Sequence, residues 1–176
     1  MNAVRLVIVA MVLTALVAGA SLYYLQVYAF YDEIGAEQAG GVQVTRADSG
    51  APEVIAFDNF RAIDADSSPI RFRACFDTPL SLDALRADYV TADTSEPLTG
   101  PGWFDCYDAR EIGEALEAGE AVGFMGVKNI EYGIDRIVAV MPDGRGFAWH
   151  QINRCGEVVF DGEPVPADCP EPPETD

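Results

Sequence analysis

Residues 6–30 read LVIVAMVLTALVAGASLYYLQVYAF, a run of 25 residues without a charged side chain. About 20 such residues suffice for a helix to cross the hydrocarbon core of a bilayer, so the run predicts a transmembrane helix. Arg5 and the α-amino group precede the run, whereas Asp32 and Glu33 follow it. Because short, positively charged flanks stay in the cytoplasm, we expect residues 1–5 to be cytoplasmic and the remainder to be exported across a bacterial inner membrane.

The same run leaves open the alternative of a cleavable signal peptide. Ala18-Gly19-Ala20 matches a small-residue cleavage site after a short apolar core. Apolar residues continue for ten positions past that site, however, and the segment before the core carries one basic side chain. The length of the run therefore favours an uncleaved anchor embedded in the lipid bilayer.

The charge of the chain lies almost entirely after the apolar run. All 29 Asp and Glu residues and ten of the 11 Lys and Arg residues follow it, which gives the exported part a formal charge of −19. Such a surface excludes nucleic acid as a partner, because nucleic-acid binding needs clustered cations. It favours basic proteins and cations, whose approach it would steer, although acidity that serves only solubility is an equal alternative.

All four cysteines, Cys75, Cys106, Cys155 and Cys169, lie in the exported part. An even number of cysteines in an oxidising compartment indicates disulfide bonds. Cys155 and Cys169 bracket one short loop with turn residues, so we expect them to pair and to leave Cys75 with Cys106. The chain has no C-x-x-C motif and no zinc-ligand spacing, so we expect neither a thioredoxin-like redox site nor a metal site.

The exported part has the length of one domain. Residues 32–41 are typical of a juxtamembrane linker, and residues 170–176 of a disordered acidic tail. Between them, residues 42–169 are predicted to form one α+β domain, a small antiparallel sheet with two short helices. The predicted strands and helices follow from period-two patterns, helix caps and turn residues; the strands are 42–45, 53–57, 70–76, 120–127, 134–141, 146–152 and 158–160, and the helices are 81–89 and 108–119.

The clearest strand pair is the hairpin over residues 134–152. Asp143-Gly144 between its strands is the signal for a two-residue type I′ turn with both residues at positive φ. That turn places Val140 opposite Phe147. A second small hairpin is predicted where the strand 158–160 meets another Asp-Gly pair.

Few side chains offer chemistry. His150 is the only histidine, and in the predicted register it lies opposite Ile137 on a strand. Without a partner motif it is interpreted as structural or as part of an interface, with a general base or metal ligand as the alternative. No G-x-S-x-G motif and no phosphate-binding glycine loop is present, so we expect no catalytic residue, no bound cofactor and no enzymatic activity.

Two groups of residues are candidates for contacts. Arg71 and Arg73 project from one face of a strand and, with Arg61, offer an anion pocket, although pairing with nearby carboxylates is the favoured interpretation. Trp103 and Phe104 stand beside a predicted disulfide, where they are either core residues or an exposed contact for a partner. The acidic side chains of the tail offer a flexible contact with a basic partner; they are Glu171, Glu174 and Asp176.

Four segments resemble, in the same order, one family of bacterial single-span membrane proteins. These segments are AIDADSSPIRFRACF, PGWFDCYDA, NIEYGIDRIVAV and GRGFAWHQINRCGEVVFDGEPVP. The family is typical of alphaproteobacteria and is known only as a domain of unknown function. The resemblance covers nearly the whole chain; it implies a short cytoplasmic N-terminus and a periplasmic domain, and it supplies no catalytic residues.

One span and one small disulfide-bonded domain predict a non-catalytic accessory subunit or assembly partner of an inner-membrane complex. The specific hypothesis is a respiratory electron-transfer complex, whose basic cytochrome c an acidic domain would concentrate. The alternative is a membrane-anchored periplasmic binding or sensing module with a pocket around Arg71, Arg73 and Trp103.

Overall fold

The computed structural model describes residues 2–173, except for the side chain of Gln26, and divides into two compact units, Met1–Asp32 and Glu33–Asp176. The first unit is built around α1, Ala3–Val27. Within the described residues, this is the one helix that is long and apolar enough to cross a membrane, with a mean hydropathy of 2.4. The hydroxyl of Thr14 donates to the carbonyl of Ala10 at 2.9 Å, so this polar group is satisfied within the helix.

The second unit is an α+β domain. Its elements, in chain order, are β1 (Asp32–Ile34), α2 (Ala36–Ala39), β2 (Gln43–Thr45), β3 (Pro52–Val54), β4 (Asp58–Asp64), β5 (Arg73–Asp77), α3 (Leu82–Asp88), α4 (Ala109–Glu117), β6 (Val122–Glu131), β7 (Ile134–Val140), β8 (Arg145–Ile152) and α5 (Arg154–Phe160). Six strands form one sheet in the order β1-β4-β5-β8-β7-β6, and β2 and β3 form a separate hairpin. The strand pairs β4–β5, β5–β8, β8–β7 and β7–β6 are antiparallel.

Both faces of the six-stranded sheet are covered, which explains why all seven residues of β7 are buried. The first face carries Phe72 and Val138, which pack with Val44 of β2 and Leu85 of α3 in an apolar core. The second face carries Trp149, which is fully buried, and is covered by the segment 94–108.

The helices begin where the sequence provides caps. Ser81 accepts a hydrogen bond from the amide of Ala84, and Asp108 accepts from the amides of Arg110 and Glu111. Both predicted helices are therefore present, and the α+β class is confirmed.

The predicted register of the β7–β8 hairpin is wrong by one residue. Val140 lies opposite Gly146 rather than Phe147, and the loop contains three residues, 142–144. Gly144 has a φ of 89°, whereas Asp143 is absent from the residues with positive φ. Pro142 explains the difference: it has no N–H to pair across a two-residue turn, and its fixed φ suits the first central position of a type I turn followed by a glycine bulge.

The predicted strand at 158–160 is the end of a helix. Asn153 caps α5 by accepting from the amides of Cys155 and Gly156. Gly162 has a φ of 80°, its amide donates to the carbonyl of Val159, and the next amide donates to that of Val158. The Asp-Gly pair therefore ends a helix in a Schellman motif rather than turning a hairpin, because a glycine at positive φ serves both purposes.

The segment 32–41, which was expected to be a linker, belongs to the folded domain. It forms β1 and α2, and Ala39 is buried. Gly40 and Gly41 both have positive φ and turn the chain so that Val42 enters the core. The glycine pair that indicated flexibility is a helix C-cap.

Candidate functional site

The second face of the sheet contains a cleft of about 680 Å³. Its base includes Ile137 of β7 and Gln151 of β8, one wall is the segment 93–98, and the other is the start of α5. A cavity of this size is in the range of small-molecule sites. The cleft is the part of this face that the covering segment leaves open.

The first wall is fixed to the sheet by Gln151, which is 8% exposed. The side-chain amide of Gln151 donates to both the carbonyl and the hydroxyl of Thr94, and its oxygen accepts from the amide of Glu96 at 3.1 Å. The indole of Trp149 donates to the same oxygen at 3.2 Å. One buried glutamine therefore ties a loop to the strand beneath it.

Arg73 extends this attachment along the same wall. Its guanidinium is buried and donates to the carbonyls of Leu98 and Thr99 as well as to those of Ile70 and Phe72. The bridge between Cys75 and Cys106 closes the covering segment on the same side of β5.

The second wall is organised by Asp135, which is 6% exposed. Its Oδ1 accepts from the amide of Asn129 at 2.8 Å and from Nδ2 of Asn153 at 2.7 Å. Asn153 also caps α5, and the bridge between Cys155 and Cys169 ties that helix to the segment that follows it. The positions of these groups are therefore fixed by a polar network and a cross-link.

The cleft is acidic. Five carboxylates and two basic side chains line it, a net charge of −3. Arg154 forms an ion pair with Asp168 at the rim. The other acids at the rim take part in no ion pair within residues 2–173; they are Asp93, Glu96 and Glu157.

His150 lies under the opposite face of the sheet, in contact with a buried arginine. Nε of Arg136 donates to Nε2 of His150 at 3.0 Å, and Nδ1 of His150 lies 2.7 Å from the carbonyl of Pro69. The ring stacks on Phe72 at 4.7 Å. Both ring nitrogens are thus occupied in the neutral form that donates from Nδ1, which supports the structural interpretation of this residue.

Burial explains the ionisation of this pair. Burial, together with the charge of Arg136, lowers the pKa of His150 to about 4. Burial also lowers the pKa of Arg136 to about 10, against the opposing effect of the Asp64 carboxylate. The register correction brings the two together, since His150 lies opposite Arg136 and not opposite Ile137.

The structure places the contact residues that were predicted from the sequence in different environments. Arg73 is in the interior and donates to the backbone carbonyls of Leu98 and Thr99, so the anion pocket with Arg61 does not form. Arg61 instead pairs with Asp105 at 2.9 Å, which lowers the pKa of that carboxyl. Phe104 is 2% exposed and belongs to the core, which excludes it as a partner contact.

Trp103 is half-buried and Glu171 is exposed, so both remain candidate contacts. Glu174 and Asp176 lie outside the described residues. Both predicted disulfides, Cys75–Cys106 and Cys155–Cys169, are present.

The sequence patterns did not identify the residues that build the cleft. Asp135 and Gln151 stand in strands whose residues are mostly apolar, and a polar residue at a buried position was the available signal. Across residues 2–173, no group of three His, Cys, Asp or Glu side chains is arranged to hold a metal ion.

Comparison with known proteins identifies the family of the chain. The model of DUF6446, a family of unknown function, matches residues 42–170. The chain belongs to this family. Among curated proteins and among solved structures, none matches it. The N-terminal apolar helix suggests a membrane anchor, and the two disulfides are typical of a domain in an oxidising compartment.

Proposed function

We propose that this chain is a non-catalytic accessory subunit or assembly partner of a bacterial inner-membrane complex. Its single N-terminal span holds the N-terminus in the cytoplasm and the domain 33–176 in the periplasm. The observation that carries the proposal is the acidity of the folded surface.

Two of the ten basic residues that follow the span are removed from the surface by folding. Arg73 and Arg136 are 3% and 5% exposed, and their hydrogen bonds go to backbone carbonyls and to His150. Eight carboxylates form ion pairs within residues 2–173. Most of the 27 acids in residues 2–173 are outside these pairs, so the domain presents a strong negative field to the periplasm.

The specific proposal is a respiratory electron-transfer complex whose basic cytochrome c is concentrated by this field. An anchored acidic domain raises the local concentration of a basic carrier without providing any redox group of its own. Such steering acts mainly on the rate of encounter and weakens with salt.

The first test is purification of the full chain from membranes in a gentle detergent, followed by mass spectrometry. Co-purification with the subunits of an oxidase or reductase is the expected result. Isolation of the chain without any membrane partner contradicts the accessory role. Intact-mass measurement on the same material should find residues 1–20 still attached, whereas a chain that begins at Ser21 contradicts the anchor.

The second test measures cytochrome c turnover by the purified complex with and without this subunit, between about 20 and 200 mM salt, where the Debye length passes through ~10 Å. Replacing Glu117, Glu120 and Glu131 by glutamine should lower the rate at low salt only. Replacing the same residues by aspartate keeps the charge and serves as the matched control. Identical rates at all salt concentrations contradict recruitment, while the assembly role is then decided by the purification alone.

The second candidate function is a membrane-anchored binding or sensing module. The observation that favours it is the cleft, whose two walls are fixed by Gln151, Asp135 and the Cys155–Cys169 bridge before any ligand arrives. Pre-organisation of this kind reduces the cost of ordering a site on binding. Extraction of small molecules from the purified chain, with identification by mass spectrometry, tests it.

A further inference from the structure

We propose that the cleft binds a primary alkylammonium group and that linear aliphatic diamines are the class of small molecule that fits it. This inference rests on the second candidate function and names the chemistry of its ligand. It does not depend on whether a host complex exists.

The first observation is a carboxylate oxygen in the lining of the cleft that no protein donor within residues 2–173 occupies. Asp135 is more than nine-tenths buried, and its Oδ1 already accepts hydrogen bonds from Asn129 and Asn153. Its Oδ2 accepts from no donor within residues 2–173. Within the described residues the only buried side-chain atom without a hydrogen-bond partner is the hydroxyl of Tyr107, so this Oδ2 is open to solvent, and a cation that enters the cleft can bind it through a charge-assisted hydrogen bond.

The number of free oxygens selects the kind of cation. A guanidinium binds a carboxylate best through two parallel hydrogen bonds, one to each oxygen. At Asp135 one oxygen is already occupied by two donors, so a fork of this kind has no second acceptor. An ammonium is a compact charge that needs one oxygen at a time, and it fits the remaining position.

The lining selects the rest of the ligand. Ile70, Met125 and Ile137 provide apolar surface inside the cleft, which suits a chain of methylene groups. At the rim, Glu96 and Glu157 provide negative charge for a second ammonium. The acids are spread along the cleft and do not converge in threes, which suits an extended organic cation better than a metal ion.

The alkylammonium has two possible sources, a free diamine and the side chain of a lysine on a partner protein. Both present the same group, so titration calorimetry of the full-length chain in micelles of an uncharged detergent uses one probe for each. The probes are 1,5-diaminopentane and a capped tripeptide with a central lysine. Hexylamine, 1-hexanol and Mg²⁺ are titrated in parallel.

We expect the diamine to bind more tightly than hexylamine, and 1-hexanol and Mg²⁺ to show no binding. Asp135→Asn keeps an oxygen for Asn129 and Asn153 but removes the charge, so it should weaken diamine binding by about tenfold or more. Glu117→Gln, an exposed acid outside the cleft, is the matched control and should leave the affinity unchanged. Thermal melting of both variants checks that they fold.

If Asp135→Asn does not fold, the variant Glu96→Gln with Glu157→Gln decides, because it should weaken the diamine and leave hexylamine nearly unaffected. Tighter binding of the lysine peptide than of the diamine assigns the cleft to a partner's side chain, with the ammonium chemistry unchanged. The proposal is overturned if 1-hexanol binds as tightly as the diamine, or if Mg²⁺ occupies the cleft and abolishes diamine binding. It is also overturned if the diamine binds Asp135→Asn as tightly as the wild type, or if none of the ammonium probes binds. Association with a host complex is measured separately by purification, so a negative result for ammonium binding and a negative result for the accessory role can be told apart.

Discussion

The two faces of the six-stranded sheet use polar residues in opposite ways. On the first face, the hydrogen bonds of Arg136 and His150 close on each other, on Ala39 and on Pro69, and an apolar core surrounds them. On the second face, Gln151 and Asp135 hold loops in place and leave a cleft between them. The same strands thus provide a closed interior on one side and an open cleft on the other.

The difference teaches where stability and where function reside in this domain. A buried polar pair whose partners are all internal contributes to a unique core and has nothing left to offer a ligand. A carboxylate that internal donors hold at one oxygen still has its second oxygen available to a ligand, provided that the surrounding loops are fixed by other means. Here the two disulfides and Gln151 provide that support, so the cleft face should depend on cross-links and the closed face on packing.

The largest expected effect comes from removing the Cys75–Cys106 bridge, which spans a sequence separation of 31 residues and supports the cleft face. Replacing both cysteines by serine should lower the free energy of unfolding by about 3–4 kcal/mol in the chain-entropy model. Urea unfolding of the full chain in detergent measures it. Removal of the shorter Cys155–Cys169 bridge is the control and should lower the free energy of unfolding by a smaller amount. A larger decrease there would contradict the proposal that the cleft face depends mainly on the long bridge.

The next effect tests the closed face. Arg136→Met removes the donor that serves the buried carbonyl of Ala39 and Nε2 of His150. Leaving buried acceptors without a donor should destabilise the domain by about 2–3 kcal/mol. The pKa of His150 should rise, because the charge of Arg136 helps to hold it near 4. NMR titration of the single histidine gives that pKa, and an unchanged value would contradict the electrostatic role of the arginine.

A third prediction concerns pH. The pKa of His150 falls from 6.5 to about 4 on folding, so the unfolded chain takes up a proton first as the pH drops. Above pH 6.5 this histidine does not change the free energy of unfolding. Below pH 6.5 it lowers that free energy, by about 2 kcal/mol at pH 5. Urea unfolding at pH 7 and pH 5 measures the loss. In His150→Gln the loss should be smaller, and an equal loss in both chains would assign it to the carboxylates.

The smallest effect lies in the hairpin that both faces share. Gly144→Val puts a β-branched residue at a φ of 89°, where its Cβ would also meet the carbonyl oxygen of Thr78 at 2.7 Å. We expect a loss of about 1 kcal/mol or more from the backbone conformation. Asp143→Val is the comparison, because that position does not have positive φ. Equal melting temperatures for Gly144→Val and the wild type would argue against the three-residue loop.

Local signals were reliable where one residue decides the conformation. Ser81 and Asp108 cap helices as their side chains predict, and the short loop between Cys155 and Cys169 predicts that pairing. They were unreliable where one signal serves two structures. Gly162 could turn a hairpin or end a helix, and Gly40 could belong to a linker or to a helix C-cap. The choice depended on contacts that lie outside the local segment.

The sequence by itself determined the apolar helix, the α+β class, the acidity and the pairing of the cysteines, because these follow from composition, spacing and local conformational preference. Only the tertiary structure decided that Arg73 and Arg136 are buried, that His150 meets Arg136, and that Asp135 lines a cleft. In a strand, a shift of one residue moves every side chain to the other face. The partner of a polar residue therefore depends on the register, and the register was fixed here by the missing N–H of Pro142.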